Sequence, residues 1–221
     1  MEHLSVDTEH TIIIPTGGNQ NRCQDNNLPK QLVPIINMTL LERTYAQARM
    51  FADKENVHVL AWHPQILNKF PCAWMPSSYN SLCDALANTR DKWRGKVVIM
   101  LGDVIFSYKT LDTVFVTKRA PRNIYFFGRE YEIYTFGFLP EAYDTVHQAL
   151  RTSEDMRSIG VGRGKLWELY CILAGLPVAE HEKVKHESYV HVSDYTQDFD
   201  LVSQYTDFLE LLKQGKIDLN K

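Results

Sequence analysis

Cysteine is scarce: the chain carries four, Cys23, Cys72, Cys83 and Cys171, none of them in a C-x-x-C pair. Neither a structural zinc site nor a disulfide framework is therefore expected, and the usage fits the reduced thiols of a cytoplasmic protein. Long apolar runs are also missing. No stretch approaches the ~18 residues needed to span a bilayer. The opening MEHLSVDTEH is acidic and polar, without the apolar core of a secretory signal. Asn37-Met38-Thr39 matches a glycosylation sequon, which carries no meaning without such a signal. Positive charge is not in excess. A formal net charge of −3 argues against a nucleic-acid partner, which would select a basic balance or stripe. The first glycine turn has neither the G-x-x-x-x-G-K-[ST] of a P-loop nor the G-x-G-x-x-G of a dinucleotide-binding turn.

What is present reads as an enzyme-sized α/β domain. At 221 residues, 44% apolar and 23% charged, the chain can bury a sizeable core as one domain. Thr11–Pro15 (TIIIP) is β-branched and apolar throughout, as in a strand covered on both faces. Thr39 with Glu42 forms a capping-box pattern, followed by Leu40, Leu41, Thr44, Tyr45 and Ala48 at helical spacing. Strands are expected over 56–62 and 96–106, and a helix over 81–93. The alternation predicts a doubly wound, mostly parallel sheet flanked by helices. Further on, strands are expected over 123–129, 132–139 and 188–195, and helices over 140–152, 166–175 and 198–215, with Gly175 closing its helix.

Several segments can carry chemistry. Gly17-Gly18 ends the first strand, either as a plain turn or as a place where backbone amides hold phosphate. Asp103 follows the apolar run KVVIML and Gly102. It is either a turn cap or, since ligands bind at the carboxyl ends of parallel strands, a Mg²⁺ ligand beside phosphates. Asp194 ends the last expected strand and could supply a second carboxylate, whereas Asp198 and Asp200 read as caps of the final helix. Arg163 and Lys165, in GVGRGK, lie on a Gly-rich basic turn that either holds a phosphate or is a solvated loop. Arg129 and Glu130, at a strand end, are candidates for a pocket wall, with Tyr131 and Tyr134 as wall or core. His181, His186 and His191 recur every five residues, which aligns them on no common face and reads as scattered surface histidines.

Taken together, IIIPTGGNQNRCQDNNLPKQLVPIINMTLLERT, LGDVIF and SDYTQDFDL resemble, in order and rough spacing, the signature segments of the nucleotidyltransferases with a GT-A-like, Rossmann-like fold. The resemblance spans about residues 11–212. It implies a Mg²⁺-dependent transfer of a nucleotidyl group from a nucleoside triphosphate to a phosphorylated small-molecule acceptor, a sugar phosphate by preference, with release of pyrophosphate. One domain over 1–221 would then hold a nucleotide-binding half (about 11–120) and an acceptor-binding half (about 121–212). No second, acyltransferase-type domain is expected. In that frame Pro15, Thr16, Gly17 and Gly18 line the nucleotide, and Asn80 and Ser81 contact its base. Arg22 holds the β- and γ-phosphates and Lys30 stabilises charge on the α-phosphate. Asp103 and Asp194 bind Mg²⁺, while Arg129, Glu130, Arg163 and Lys165 face the acceptor. Gln20 stands where the family has its second Gly, and Thr196 where many members have Asp or Asn. A non-catalytic nucleotide or nucleotide-sugar binding protein, and a CTP- or GTP-dependent enzyme with a non-sugar acceptor, are the alternatives. The oligomeric state is open, a homodimer included.

Overall fold

The computed structural model describes residues 10–17, 28–116, 123–129, 132–178, 187–199 and 202–219. In chain order the strands are β1 (His10–Pro15), β2 (Pro34–Ile35), β3 (Met38–Thr39), β4 (Val57–Leu60), β5 (Ala73–Trp74), β6 (Lys96–Met100), β7 (Val104–Ile105), β8 (Ile124–Arg129), β9 (Glu132–Phe138), β10 (Tyr189–His191) and β11 (Gln197–Asp198). The helices are α1 (Leu40–Ala48), α2 (Pro64–Lys69), α3 (Leu82–Ala87), α4 (Tyr108–Val116), α5 (Tyr143–Ser158), α6 (Leu166–Ala174) and α7 (Val202–Lys213).

Seven strands form the main sheet in the order β10-β8-β9-β6-β1-β4-β5. β1 runs parallel to β4 and β6, β4 parallel to β5, and β10 parallel to β8; β9 is antiparallel to both its neighbours. The fold is thus α/β with a mostly parallel, mixed sheet. One reversed strand has a geometric consequence. The start of β9 and the carboxyl ends of the other strands fall on the same edge of the sheet, where Gly17, Trp62, Asp103, Arg129 and Glu132 all lie.

Alternation along β1 builds two core layers. Ile13 packs on one face with Leu86 of α3, Val146 and Leu150 of α5 and Leu169 of α6. Ile12 and Ile14 pack on the other with Leu41 of α1, Ile66 of α2 and Leu111 and Val114 of α4. All three isoleucines are fully buried, and each contributes roughly 1.5–3 kcal/mol. Both faces are covered, which is why the strand reads as a continuous apolar run. A smaller cluster of Ile35, Leu40, Ile105, Phe199 and Phe208 seats α7.

Some sequence expectations change. The run 96–106 is two strands: it turns at Gly102-Asp103, and β7 leaves the main sheet to pair antiparallel with β11, Val104 opposite Asp198. Asp198 is consequently a strand residue and not a helix cap, and Asp200 lies outside the described residues. The helix expected over 81–93 ends at Ala87 and continues as a 3-10 turn over Arg90–Lys92. The helix expected over 140–152 opens as a 3-10 turn over Pro140–Ala142 and runs on to Ser158, and the last main-sheet strand is only Tyr189–His191. Thr39 does cap α1 with Glu42, whose carboxylate accepts from the Thr39 amide at 2.6 Å while the Glu42 amide donates back to the threonine hydroxyl at 3.3 Å. Gly175 closes α6 at φ +69°. Among the described residues no helix is long and apolar enough to cross a membrane.

Candidate active site

Lys30 and Asp103, 73 positions apart in the sequence, meet at this edge with Nζ 2.5 Å from Oδ2, their side chains 16% and 19% exposed. Local chemistry puts both there. Pro29 is buried at φ −53°, and Lys30 opens a short 3-10 turn after it. On the other side, the Gly102 amide donates to the Pro15 carbonyl at 3.1 Å. A Cβ on Gly102 would lie 3.0 Å from that oxygen and 3.1 Å from Thr16 Cγ2. Glycine is needed for the end of β6 to press against the end of β1, and Asp103 is carried on the resulting turn.

Thr16 is buried, and its amide and hydroxyl both donate to the Leu60 carbonyl, at 2.9 and 2.7 Å. It ties β1 to β4 beneath the site. Gly17 sits above it with a neighbour that sequence reasoning missed. A Cβ built on Gly17 would fall 1.3 Å from the hydroxyl oxygen of Tyr79, so this tyrosine covers the first glycine of the turn. Burial, with the charge of Asp103 adding to it, pushes the Tyr79 phenol up to about 12, so it stays a neutral donor at physiological pH. Gly18 and Arg22 lie outside the described residues.

Asn80 and Ser81 open α3. The Ser81 hydroxyl accepts from the Asp84 amide at 3.0 Å and donates to Glu154 at 2.8 Å. The Asn80 backbone and side-chain amides both donate to the Asp84 carboxylate, at 3.0 and 3.1 Å. Ser81 is buried and Asn80 exposed, so only Asn80 presents surface to a ligand.

Asp194 makes its hydrogen bonds at the start of α4. Its carboxylate accepts from the Ser107 hydroxyl at 2.5 Å, the Thr110 hydroxyl at 2.8 Å and the Thr196 amide at 2.8 Å. Thr196 is fully buried, and its hydroxyl accepts from the Ser107 amide. Burial raises the Asp194 carboxyl, but the bonds from Ser107, Thr196 and Thr110 outweigh it and hold the group below its ordinary range. Its stabilising effect is therefore present above the ordinary carboxyl value of ~3.9 and is lost as pH falls through the lower folded value. Chemical denaturation across pH should show the wild type more stable than Asp194→Ala at neutrality, with the gap closing below about pH 4. A gap that stays constant with pH would refute this role.

On the other half of the edge, Arg129 ends β8 and lies opposite Glu132 in β9; both are exposed, and Glu130 and Tyr131 lie outside the described residues. Tyr134 follows in β9, buried, its hydroxyl donating to Glu132 at 3.3 Å and its carbonyl accepting from the Leu101 amide at 3.3 Å. The nearby charges of Glu132 and Asp198 add to burial in raising its phenol.

The Gly-rich turn before α6 differs from its appearance in the sequence. The Glu168 carboxylate, itself buried, accepts from the backbone amides of Arg163 at 2.8 Å, Gly164 at 2.6 Å and Lys165 at 3.3 Å. The amide nest expected to take a phosphate is filled by the protein's own anion. The Arg163 and Lys165 side chains are exposed and, with Glu168, line a cavity of about 310 Å³. His191 is exposed at the end of β10, and His181 and His186 lie outside the described residues.

Mg²⁺ takes one or two carboxylates and completes its shell with water and phosphate oxygens. A part-exposed Asp103 at the crevice edge fits that demand. Among the described residues no group of three or more His, Cys, Asp or Glu converges as a self-sufficient metal cage.

No protein-family model and no curated protein matches the sequence. Solved structures do match the fold. The chain is similar to a CTP:phosphocholine cytidylyltransferase from Streptococcus pneumoniae, with 11% identity over 92% of this chain and 99% of that one, at a TM-score of 0.62. It is similar to a Bacillus anthracis protein assigned as a glucose-1-phosphate thymidylyltransferase, at 12% identity, 96% and 98% coverage and a TM-score of 0.66. A third match is a CMP-2-keto-3-deoxy-manno-octonic acid synthetase bound to CTP, at 13% identity, 94% and 100% coverage and a TM-score of 0.60. At such identities the likeness is one of fold, which this chain shares with these three proteins.

Proposed function

We propose that this chain is a nucleotidyltransferase that joins a nucleoside triphosphate to a phosphorylated small molecule, a sugar phosphate in the first instance, and releases pyrophosphate. The observation that carries the reading is the Lys30–Asp103 pair at the carboxyl edge of a nucleotidyltransferase fold. An acceptor phosphate oxygen attacks the α-phosphorus in line, the bond to the bridging oxygen breaks, and pyrophosphate leaves with the electron pair. Both reactants are anions, so positioning and charge neutralisation carry the catalysis. No general base is required, because a phosphate monoester with a second pKa of about 6 is already ionised near neutrality.

Lys30 acts as a point charge on the α-phosphate, and Arg22 grips the β- and γ-phosphates through its planar fork. Gly17, Gly18 and the end of β1 hold the nucleotide, with Asn80 beside its base. Asp103 would hold Mg²⁺, which would supply neutralisation of charge on the triphosphate. Asp194, expected from the sequence as a second ligand, spends its oxygens on the start of α4 and in this reading fixes the segment after Asp103. Arg129, Glu130, Arg163 and Lys165 face the acceptor.

One observation favours a second acceptor class. Glu132, exposed at the start of β9, and the nearby Asp198 make part of the acceptor side acidic, which suits a phosphorylated amine better than a hexose phosphate. The test is pyrophosphate release with ATP, GTP, CTP and UTP against hexose 1-phosphates and phosphocholine, with and without Mg²⁺. Turnover with at least one pair is expected only with Mg²⁺. Nucleotide binding without turnover for any pair would reduce the protein to a nucleotide-binding module.

A further inference from the structure

Trp62 lies two residues beyond the end of β4 and stands at the same edge as Gly17. It is 46% exposed, whereas Trp93 and Trp167 are buried and Trp74 is partly covered, with the Lys92 ammonium 5.8 Å from its ring centre. Its aromatic neighbour is Tyr79, with ring centroids 5.3 Å apart and planes inclined by 32°. Tyr79 in turn lies over Gly17. An exposed indole, the tyrosine ring beside it and the glycine that ring covers therefore lie in sequence at the carboxyl edge of the sheet, on the side away from Arg129 and Glu132.

We propose that Trp62 and Tyr79 are the wall against which the nucleobase stacks, and that the Tyr79 ring turns off Gly17 to admit it. The proposal rests on the nucleotide-binding reading above and extends it to the base. Every base presents a π face, so stacking on an aromatic wall holds the base without choosing it, and removing one such partner weakens binding by about 5- to 150-fold. Base identity is then left to polar groups at the rim, such as Asn80. Gly17 does not sit in the left-handed region, so alanine there keeps its backbone and meets the Tyr79 ring first.

The test uses the full chain with Mg²⁺, and calorimetry with each nucleoside triphosphate and with inorganic tripolyphosphate as the base-free probe. The wild type is expected to bind at least one nucleoside triphosphate more tightly than tripolyphosphate. Trp62→Ala should weaken that nucleotide by about tenfold, within the range for one lost stacking partner, and leave tripolyphosphate unchanged. Trp62→Phe should retain most of the affinity but lose the tryptophan fluorescence change that the nucleotide produces in the wild type. Free Gly17→Ala, its methyl displacing Tyr79, should already show that fluorescence change without nucleotide.

An unaltered nucleotide affinity in Trp62→Ala, or an equal loss for tripolyphosphate, overturns the wall. An unchanged spectrum in free Gly17→Ala overturns the movement of Tyr79. If the wild type binds neither probe, the nucleotide reading fails together with the wall, whereas turnover with an undiminished Trp62→Ala defeats the wall alone.

Discussion

Lys30→Ala is expected to lower the rate of pyrophosphate release by about 100-fold or more, the scale of losing one group that stabilises transition-state charge. The loss should fall mainly on kcat, because charge on the α-phosphate grows as the new bond forms, with a smaller rise in KM. The structure adds a second reason. Lys30 Nζ is 2.5 Å from Asp103 in a partly buried setting, so its removal leaves an uncompensated carboxylate where a triphosphate must dock. Lys30→Arg keeps the charge on a bulkier, planar head and should recover only part of the rate. Steady-state kinetics on the three proteins decides the matter, and an alanine variant within a few-fold of wild type would remove Lys30 from the mechanism.

Asp103→Asn should cost a similar factor of about 100, with a different signature. The substitution keeps the shape and removes the charge that would hold Mg²⁺. Rate plotted against Mg²⁺ concentration should lose its saturation or move to far higher concentration, while Lys30→Ala still saturates with Mg²⁺, at the wild-type concentration or below it. The double variant should be little worse than either single one, since groups that act as a unit are not additive. Because the pair is only partly buried, melting temperatures should move by no more than a few degrees, separating a catalytic loss from an unfolded protein. A normal Mg²⁺ response in Asp103→Asn would place the metal elsewhere.

The layers of the fold were legible where burial and period agreed. Ile12, Ile13 and Ile14 announce a doubly covered strand, Thr39 and Glu42 announce the start of α1, and Gly175 its counterpart at the end of α6. Elements were missed where local signals were weak or carried on past a break. The apolar character of Val104, Ile105 and Phe106 hides the turn at Gly102-Asp103, because all three are fully buried although Val104 and Ile105 belong to a different sheet. Helix α4, YKTLDTVFV, is rich in β-branched residues, and α2 has only six residues.

The same division holds at the site. Lys30 and Asp103 could be chosen by type and position. Tyr79 could not, because nothing in SSYNS marks a ring that crosses to Gly17. Glycine and basic residues around 160–165 look alike whether the nested anion is a ligand or, as here, the chain's own Glu168.

Ser81 has a mechanical consequence. Its hydroxyl caps α3 and grips Glu154 of α5, a Cβ on Gly164 would lie only 2.2 Å from its oxygen, and the Cys83 amide donates to the Gly164 carbonyl at 3.0 Å. The chain is thus clamped two residues after Tyr79 to α5 and to the turn before α6. Ser81 acts as a fulcrum: any swing of Tyr79 is taken up by its own side chain and the residues before it, while α3 stays put. On the reading proposed above, opening of the nucleotide side would then leave α5 and α6 in place, so that the two substrates would be gripped independently of each other.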